Sequence, residues 1–287
     1  MSDSKAVNQA YHALLKASRE GASLAEPWAA FVRACEATRA RPPLHLTILF
    51  DCLAQLERGS KGRQLTILEH GCGAGQNTMY LLALGYRGAW GVDVGGDHSA
   101  QNRVIREVLG ISEQRISLYD GRQLPLADGT VDLVFSQQVL EHVTDDLIDA
   151  YYADEARVLR PGGLAYHQFP HIFGPYDSHS RCWFLHWFPR PIRRAGYRLL
   201  DRNPDYLDQI MFLRTPGAHF RRVREFIGPV RDLTAERLKT LPDMETYEGP
   251  AGLRLLVHNA AKIPVLGALA AFVFKNLALL DTVAVRR

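Results

Sequence analysis

The sequence predicts a protein of the α/β class with a doubly wound, mostly parallel sheet. From about residue 65 onward, short apolar runs alternate with segments of helical spacing, and each run is long enough for one buried strand. Alternation of this kind is typical of strand–helix–strand units whose sheet is covered by helices on both faces.

The individual elements follow from these runs. Strands are predicted at Leu65–Leu68, Ala89–Val92, Ile116–Leu118, Val131–Phe135 and Gly163–Phe169. Helices are predicted between them, at about Gln76–Leu84, Ser99–Leu109 and Leu140–Leu159, with a turn at Arg160-Pro-Gly-Gly163. Farther along the chain we expect a strand at Asp208–Leu213, a helix at Gly217–Phe226 and a closing strand at Thr282–Arg286.

Changes in composition and in the spacing of apolar residues along the chain predict its domain organisation. Residues 1–60 have helical spacing and form a predicted N-terminal cap, and residues 61–170 form the core with the alternating pattern. Residues 171–245 begin with a stretch dense in His, Trp, Phe, Pro and Arg, which suits an inserted lid over an acceptor site. Residues 246–287 are predicted to form an apolar helix followed by the closing strand of the core sheet.

Composition excludes several classes of protein. The 287 residues carry a formal net charge of +3, which is too mild to indicate a nucleic-acid partner. The four cysteines contain no C-x-x-C pair, so neither a disulfide scaffold nor a cysteine-based zinc site is predicted. The first residues show no apolar run behind a basic flank, so we expect a reducing cytoplasm. The apolar stretch Ile263–Phe274 is shorter than the roughly 20 residues that a membrane span requires.

A glycine loop follows the first predicted strand, in the sequence Glu69-His-Gly-Cys-Gly-Ala-Gly75. Its spacing differs from the G-x-G-x-x-G of nicotinamide and flavin sites, and it lacks the G-x-x-x-x-G-K-[ST] of an ATP-binding loop. Glu69 ends the first strand. Asp93 ends the second, about 20 residues beyond the loop, where a carboxylate meets a ribose in doubly wound folds.

Several motifs together resemble those of one enzyme family. They are Glu69-x-Gly-x-Gly-x-Gly75, Asp93, Asp120-Gly121, the stretch Leu124 to Ser136, Val139-Leu-Glu-His142-Val and Leu159-Arg-Pro-Gly-Gly163. They are similar to the motifs of class I S-adenosylmethionine-dependent methyltransferases. The subgroup they resemble (methyltransferase type 11) includes ubiquinone-type C-methyltransferases and many O-methyltransferases of sugars, lipids and natural products. The resemblance covers about residues 60–170 and implies a Rossmann-like, seven-stranded sheet and S-adenosylmethionine as cofactor.

The resemblance also implies roles for individual residues. Glu69 would help to hold the methionyl amino group, Asp93 would bind the ribose hydroxyls, and Asp120 would accept a hydrogen bond from the adenine amino group. His70 departs from the aliphatic residue that is commoner there and would bring a titratable group near the sulfonium. The complete predicted cofactor-binding set is Glu69, His70, Gly71, Cys72, Gly73, Gly75, Asp93, Val94, Asp120, Gly121 and Gln137.

Candidate catalytic residues cluster after the fifth predicted strand, at the edge of the sheet where ligands bind in such folds. We predict His171 or His179 as the base that deprotonates an acceptor hydroxyl, with Asp177 as the orienting partner. This favours O-methylation. The same residues could instead be hydrogen-bonding groups that give the lid its shape. Two other functions stay open: C- or N-methylation of an isoprenoid or natural product, and a non-catalytic cofactor-binding partner subunit. His142 is expected to cap or pack the following helix.

A metal site is the alternative explanation for the histidines of the predicted lid. Their number would suffice for zinc, but the spacing matches no compact zinc pattern, and no metal is predicted. The side chains concerned are His167, His171, His179, Cys182 and His186.

The segment Arg181–Arg194 interleaves aromatic residues with arginines. Such a segment fits the surface of an anionic membrane, or it packs its rings on the core with the arginines solvated. We therefore expect a small-molecule, lipid-linked or glycan acceptor, with peripheral contact at the inner membrane face as one interpretation. Nucleic acid is not expected, because Ser136-Gln-Gln-Val replaces the Asn/Asp-Pro-Pro-aromatic motif of adenine methyltransferases.

Overall fold

The computed structural model describes residues 3–60, 62–177, 179–239 and 279–287. The chain divides into two compact units. The first unit contains residues 1–136, 154–166 and 286, and the second contains residues 137–153, 167–285 and 287. The predicted apolar helix within residues 246–278, including the stretch Ile263–Phe274, lies outside the described residues.

The first unit begins with three helices, which confirms the predicted helical character of the first sixty residues. They are α1 (Asp3–Arg19), α2 (Ala25–Ala37) and α3 (Thr47–Ser60), and a 3-10 turn at Leu44–Leu46 leads into α3. Each helix buries one apolar stripe, such as Leu49, Leu53 and Leu56 on α3.

The strands and helices of the predicted core follow in alternation, as the sequence indicates. In chain order they are β1 (Ile67–His70), α4 (Gln76–Ala83), β2 (Ala89–Asp93), α5 (Ser99–Leu109), β3 (Ile116–Leu118), β4 (Val131–Gln137), α6 (Ile148–Val158) and β5 (Leu159–Phe169). Strand β4 is buried from Val131 to Ser136, because a parallel strand covered on both faces has no solvated side.

The second unit supplies the remaining elements. They are β6 (Tyr176–Asp177), β7 (Cys182–Trp183), α7 (Arg190–Leu199), α8 (Tyr206–Gln209), α9 (Pro216–Phe226), β8 (Val230–Asp232), α10 (Thr234–Lys239) and β9 (Leu280–Val285). Helix α9 begins with Pro216 at its first turn, and the Thr215 side chain caps it by accepting from the Ala218 amide. Strands β6 and β7 form a separate antiparallel pair.

The sheet topology confirms the predicted fold class. Seven strands lie in the order β3-β2-β1-β4-β5-β9-β8. Strand β1 is parallel to both β2 and β4, β2 is parallel to β3, and β9 is antiparallel to β8. The order reverses between β1 and β4, which is the switch point at which doubly wound sheets bind their ligands beyond the strands' carboxyl ends.

Three local predictions were wrong. Helix α6 begins at Ile148 instead of near Leu140, because residues 140–147 form turns. Residues Arg160–Gly163 belong to β5 and form no separate turn, although Gly162 has a φ of 76°. The segment Asp208–Leu213 forms no strand; its first residues end α8.

Helix α1 packs beside the glycine loop within the first unit. The Tyr11 hydroxyl donates to the Ala74 carbonyl at 2.5 Å, and the Gln101 side chain on α5 donates to the same carbonyl at 2.8 Å. The Ser18 hydroxyl donates to the Ala100 carbonyl at 2.8 Å. The backbone of the loop is therefore tied to α1 and α5 by side-chain hydrogen bonds.

Arginines and aspartates are paired along helix α7. Asp208 accepts from Arg190 at 3.0 Å and from Arg193 at 2.5 Å, and Asp205 pairs with Arg194. Among the described residues, no helix combines the length and the apolar character that crossing a membrane requires.

Candidate active site

The glycine loop connects β1 to α4 and uses two of its glycines for different reasons. Gly75 has a φ of 73°, and a Cβ there would lie 2.7 Å from the Ile116 side chain. Gly73 has a φ of 50°, but a Cβ there would meet no atom within 4 Å. Packing therefore requires glycine at position 75, whereas position 73 borders open space where a ligand can approach the backbone.

Glu69 lies beneath the loop at the carboxyl end of β1 and is only 4% exposed. Its carboxylate accepts from the Thr78 amide at 2.9 Å, from the Thr78 hydroxyl at 2.5 Å and from the Asn77 side chain at 2.9 Å. Burial raises the pKa of Glu69 to about 7, although these hydrogen bonds oppose the shift. Glu69 thus fixes the first turn of α4 and titrates near neutrality.

Asp93 joins the end of β2 to the glycine loop. Its Oδ2 accepts from the Gly73 amide at 2.7 Å, and its Oδ1 accepts from the Gly95 amide at 3.2 Å. The side chain is half-buried at the exposed face of the loop. An acceptor carboxylate in this place can bind a pair of vicinal hydroxyls on a ligand, because hydroxyls donate to charged oxygens strongly.

An exposed apolar surface lies next to Asp93. Val94 is 67% exposed, and a Cβ on Gly121 would lie 3.4 Å from its Cγ1. Beside them, Asp120 accepts from the Gln123 and Arg122 amides at 2.9 and 2.8 Å, and these hydrogen bonds lower its pKa. The surface therefore offers an apolar face and an ionised carboxylate to a flat, polar-edged ring.

A family model described as a methyltransferase domain matches residues 68–167. The chain is 32% identical over 156 residues to an uncharacterized methyltransferase of Mycolicibacterium gilvum, which covers 54% of this chain and 55% of the relative. It is also 32% identical over 145 residues to one of Mycobacteroides abscessus, covering 50% of this chain and 53% of that one.

Residues 68–167 are therefore a methyltransferase domain. The chain spans about half the length of the relatives it matches. Among solved structures, the fold is similar to a geranyl diphosphate methyltransferase in complex with S-adenosylmethionine, with 18% identity, 90% of each chain covered and a TM-score of 0.44.

The geometry of the glycine loop fits S-adenosylmethionine, the cofactor that the sequence predicts. The open side of Gly73 leaves room for the cofactor at the backbone. If the cofactor binds there, its ribose hydroxyls would donate to the Asp93 carboxylate, and its adenine would pack on Val94 and Gly121. These roles, and the contacts of Gly71, Cys72, Asp120 and Gln137 with the cofactor, stay predictions.

His70 of the methyltransferase domain is buried in a hydrogen-bonded network. Its Nδ1 lies 2.9 Å from the Glu155 carboxylate, and its Nε2 lies 2.7 Å from the Tyr119 hydroxyl. Because both ring nitrogens have partners, the backbone of His70 is the part that a cofactor would contact. Burial of the neighbouring Cys72 raises the pKa of its thiol well above the ordinary range.

The predicted catalytic residues lie in the second unit, and the structure brings two of them together. Asp177 is buried and accepts from the His179 and Ser180 amides, both at 3.1 Å. The His179 Nδ1 lies 3.6 Å from the Asp177 carboxylate. Burial alone would raise the pKa of Asp177, but the hydrogen bonds from His179 and Ser180 outweigh it and lower the pKa.

His171 is placed differently. Its ring is buried, and its Nδ1 accepts from the Phe173 amide at 3.2 Å, which stabilises a local turn. It lines a small cavity of about 40 Å³ together with Asp177 and His186. Because one ring nitrogen already serves the backbone, His171 is less suited than His179 to accept a proton from a substrate.

A cluster that the sequence did not predict lies beyond the carboxyl end of β4. In the described part of the chain, ligand atoms of Glu141, His142 and His179 lie within 4.8 Å of one another. Of the five side chains weighed as zinc ligands, His179 alone belongs to this cluster. His167, for example, packs its ring against Tyr152, with the ring centroids 5.7 Å apart. In the sequence, the feature that could have indicated this cluster is the pair Glu141-His142 soon after a buried strand.

His142 does not cap the following helix, so the capping alternative of that prediction was wrong. Helix α6 begins only at Ile148, and the His142 Nδ1 lies 2.9 Å from the Ile210 carbonyl. The rings of His142 and His179 are nearly perpendicular, with centroids 5.3 Å apart. Glu141 is 1% exposed, and burial raises its pKa to about 7.

Proposed function

We propose that this protein is an S-adenosylmethionine-dependent methyltransferase that methylates a hydroxyl oxygen. The observation that carries the cofactor part of the proposal is the pairing of Asp93 with the Gly73 amide at the open side of the glycine loop. There the chain offers bare backbone and an acceptor carboxylate together, as the ribose and methionyl parts of this cofactor require.

When bound, the cofactor would supply an activated methyl carbon for transfer to the acceptor oxygen, with its sulfur as the leaving group. What the chain's residues contribute is position and proton transfer. A hydroxyl acceptor must lose its proton, and a histidine oriented by a carboxylate can take it near neutral pH. The Asp177–His179 pair supports this role, since a carboxylate 3.6 Å from the His179 Nδ1 would stabilise the imidazolium that forms.

The surface of the second unit bears on the class of acceptor. Trp183, Phe184, Trp187 and Phe188 are each between 40% and 48% exposed. Exposed aromatic rings in one segment favour an apolar or lipid-linked acceptor, or contact with a membrane surface. Three of the four arginines of α7 are already paired with aspartates, namely Arg190, Arg193 and Arg194, which leaves these three less available to anionic lipid.

Cofactor binding is tested by isothermal titration calorimetry with S-adenosylmethionine and S-adenosylhomocysteine. Asp93→Asn is expected to weaken binding about tenfold or more, because hydrogen bonds to charged groups contribute about 1.5–3 kcal/mol. Glu113→Gln removes a charge from an exposed position and serves as the matched control. Equal affinities for the wild type and Asp93→Asn would contradict the assignment of Asp93.

The reaction is tested with isotope-labelled methyl donor and fractionated small-molecule, lipid and glycan extracts. Label in a product that contains a methoxy group supports the proposal. Label on carbon or nitrogen would show one of the two alternative methylations. Tight cofactor binding without transfer to any extract would favour the partner-subunit alternative. Co-sedimentation of the protein with liposomes of anionic lipid tests whether the exposed aromatic rings bind a membrane.

A further inference from the structure

We propose that Glu141, His142 and His179 bind a divalent transition-metal cation. Their ligand atoms lie within 4.8 Å of one another. A cation with bonds of about 2.0–2.2 Å to nitrogen and oxygen holds neighbouring ligands about 3–4 Å apart, so small side-chain rotations close the site. All three residues belong to the second compact unit.

The carboxylate of Glu141 is the strongest reason to expect a ligand. The residue is 1% exposed, and neither carboxylate oxygen has a hydrogen-bond partner among the described residues. A buried polar group without a partner costs roughly 1–3 kcal/mol, and a charged group costs more. Structures rarely retain such a group unless an ion, a water molecule or a reaction uses it. A cation at the cluster would satisfy this carboxylate.

The partners of the two imidazoles favour the tautomer that leaves Nε2 free to bind a metal. The His142 Nδ1 lies 2.9 Å from the Ile210 carbonyl, which can only accept, so the proton of a neutral ring resides on Nδ1 and the lone pair on Nε2. Asp177 faces the Nδ1 of His179 at 3.6 Å and favours the same tautomer. Histidines that bind metals commonly donate their other ring nitrogen to a carbonyl or a carboxylate in this way.

The donor set selects the class of cation. Two imidazole nitrogens and one carboxylate suit zinc, manganese or ferrous iron, whereas magnesium and calcium prefer oxygen ligands throughout. Three protein ligands leave coordination positions open, as in catalytic metal sites. Asp177 adds a second negative charge beside the cluster, which further favours a cation.

This inference rests on the proposed O-methylation for its chemical consequence, and it replaces His179 as the base that takes the acceptor's proton. An acceptor hydroxyl bound at an open position becomes more acidic, because the cation stabilises the oxyanion. The hydroxyl then gives its proton to water, and its oxygen is ready to accept the methyl group. In that state His179 holds the cation and does not itself take the proton.

The experiment measures metal binding directly, on untagged full-length protein that has been treated with a chelator and dialysed. Cobalt(II) serves as the absorbance probe, and zinc and manganese are titrated by calorimetry. We expect one cation per chain. Glu141→Gln and His142→Gln should each weaken binding at least tenfold, and Asp177→Asn should weaken it about 10–100-fold as a positioning residue. His12→Asn alters an exposed histidine on α1 and should leave binding unchanged.

Folding of the variants is checked by circular dichroism and thermal denaturation without metal. Glu141→Gln conserves the side-chain volume and removes a buried charge, so its melting temperature should not fall below that of the wild type. His142→Gln changes an exposed ring and supplies a second variant. Absence of cobalt binding at millimolar concentration, or equal affinity in the wild type and both variants, would overturn the proposal.

The same preparations separate this inference from the proposed function. If the chelator-treated protein binds S-adenosylmethionine and methylates its acceptor at the wild-type rate without added metal, the metal site is wrong and the methyltransferase stands. If the cation binds but the cofactor does not, the methyltransferase is wrong and the metal site stands.

Discussion

The raised pKa of Glu69 predicts a specific pH dependence of folding stability. In the folded chain burial raises this pKa from 4.5 to about 7. Folding therefore favours the neutral carboxyl group of Glu69. The stability that this group contributes is present in full below about pH 4.5 and is lost as the pH rises through 7. At about 1.4 kcal/mol per pKa unit, the loss amounts to about 2–3 kcal/mol between pH 5 and 8.

The assay compares the wild type with Glu69→Gln, which is neutral at every pH. Free energies of unfolding are measured by urea denaturation at pH 5, 6, 7 and 8 without cofactor. The wild type should lose about 2–3 kcal/mol relative to the variant across this range, because all other titrating groups are shared. Glu225→Gln, at an exposed position, should show a constant difference from the wild type. Parallel stability curves for the wild type and Glu69→Gln would refute the reasoning.

Two further predictions concern the glycine loop and its neighbour on α1. Gly75→Ala should lower the free energy of unfolding by about 2 kcal/mol or more in urea denaturation, since the new Cβ would lie 2.7 Å from Ile116 and its φ is positive. Gly73→Ala should cost only about 1–2 kcal/mol of backbone strain and should instead lower cofactor affinity in calorimetry. Tyr11→Phe should cost about 1 kcal/mol through the lost hydrogen bond to Ala74, measured in the same urea titration.

The sheet could be predicted from the sequence because its strands are short buried runs between helices. Ile116–Leu118 agrees in full, and Ala89–Val92 agrees to within one residue. The segment from Asp208 onward was misassigned because its apolar residues resembled a strand. In the folded chain Asp208 forms ion pairs with arginines of α7, and these partners are distant from it in the sequence. The pattern of apolar residues within one segment contains no information on such distant partners.

The cofactor loop was predictable for a related reason. Glu69 is the penultimate residue of β1 and Asp93 is the last residue of β2, so their positions follow from the sheet alone. The cluster of Glu141, His142 and His179 was not predictable, because the turns after β4 and after β6 come together only in the folded chain. A helical spacing in residues 140–147 obscured the Glu-His pair, and the orientation of His142 depends on the distant Ile210 carbonyl.

The contacts of α1 with the glycine loop bear on how the protein can be shortened or labelled. Tyr11 donates to the Ala74 carbonyl in the middle of that loop. Trimming the chain to residues 68–167, the stretch that matches the family model, would therefore remove this hydrogen bond to the glycine loop along with the helix. Exposed positions on α1, such as His12, can in contrast be labelled without removing that hydrogen bond.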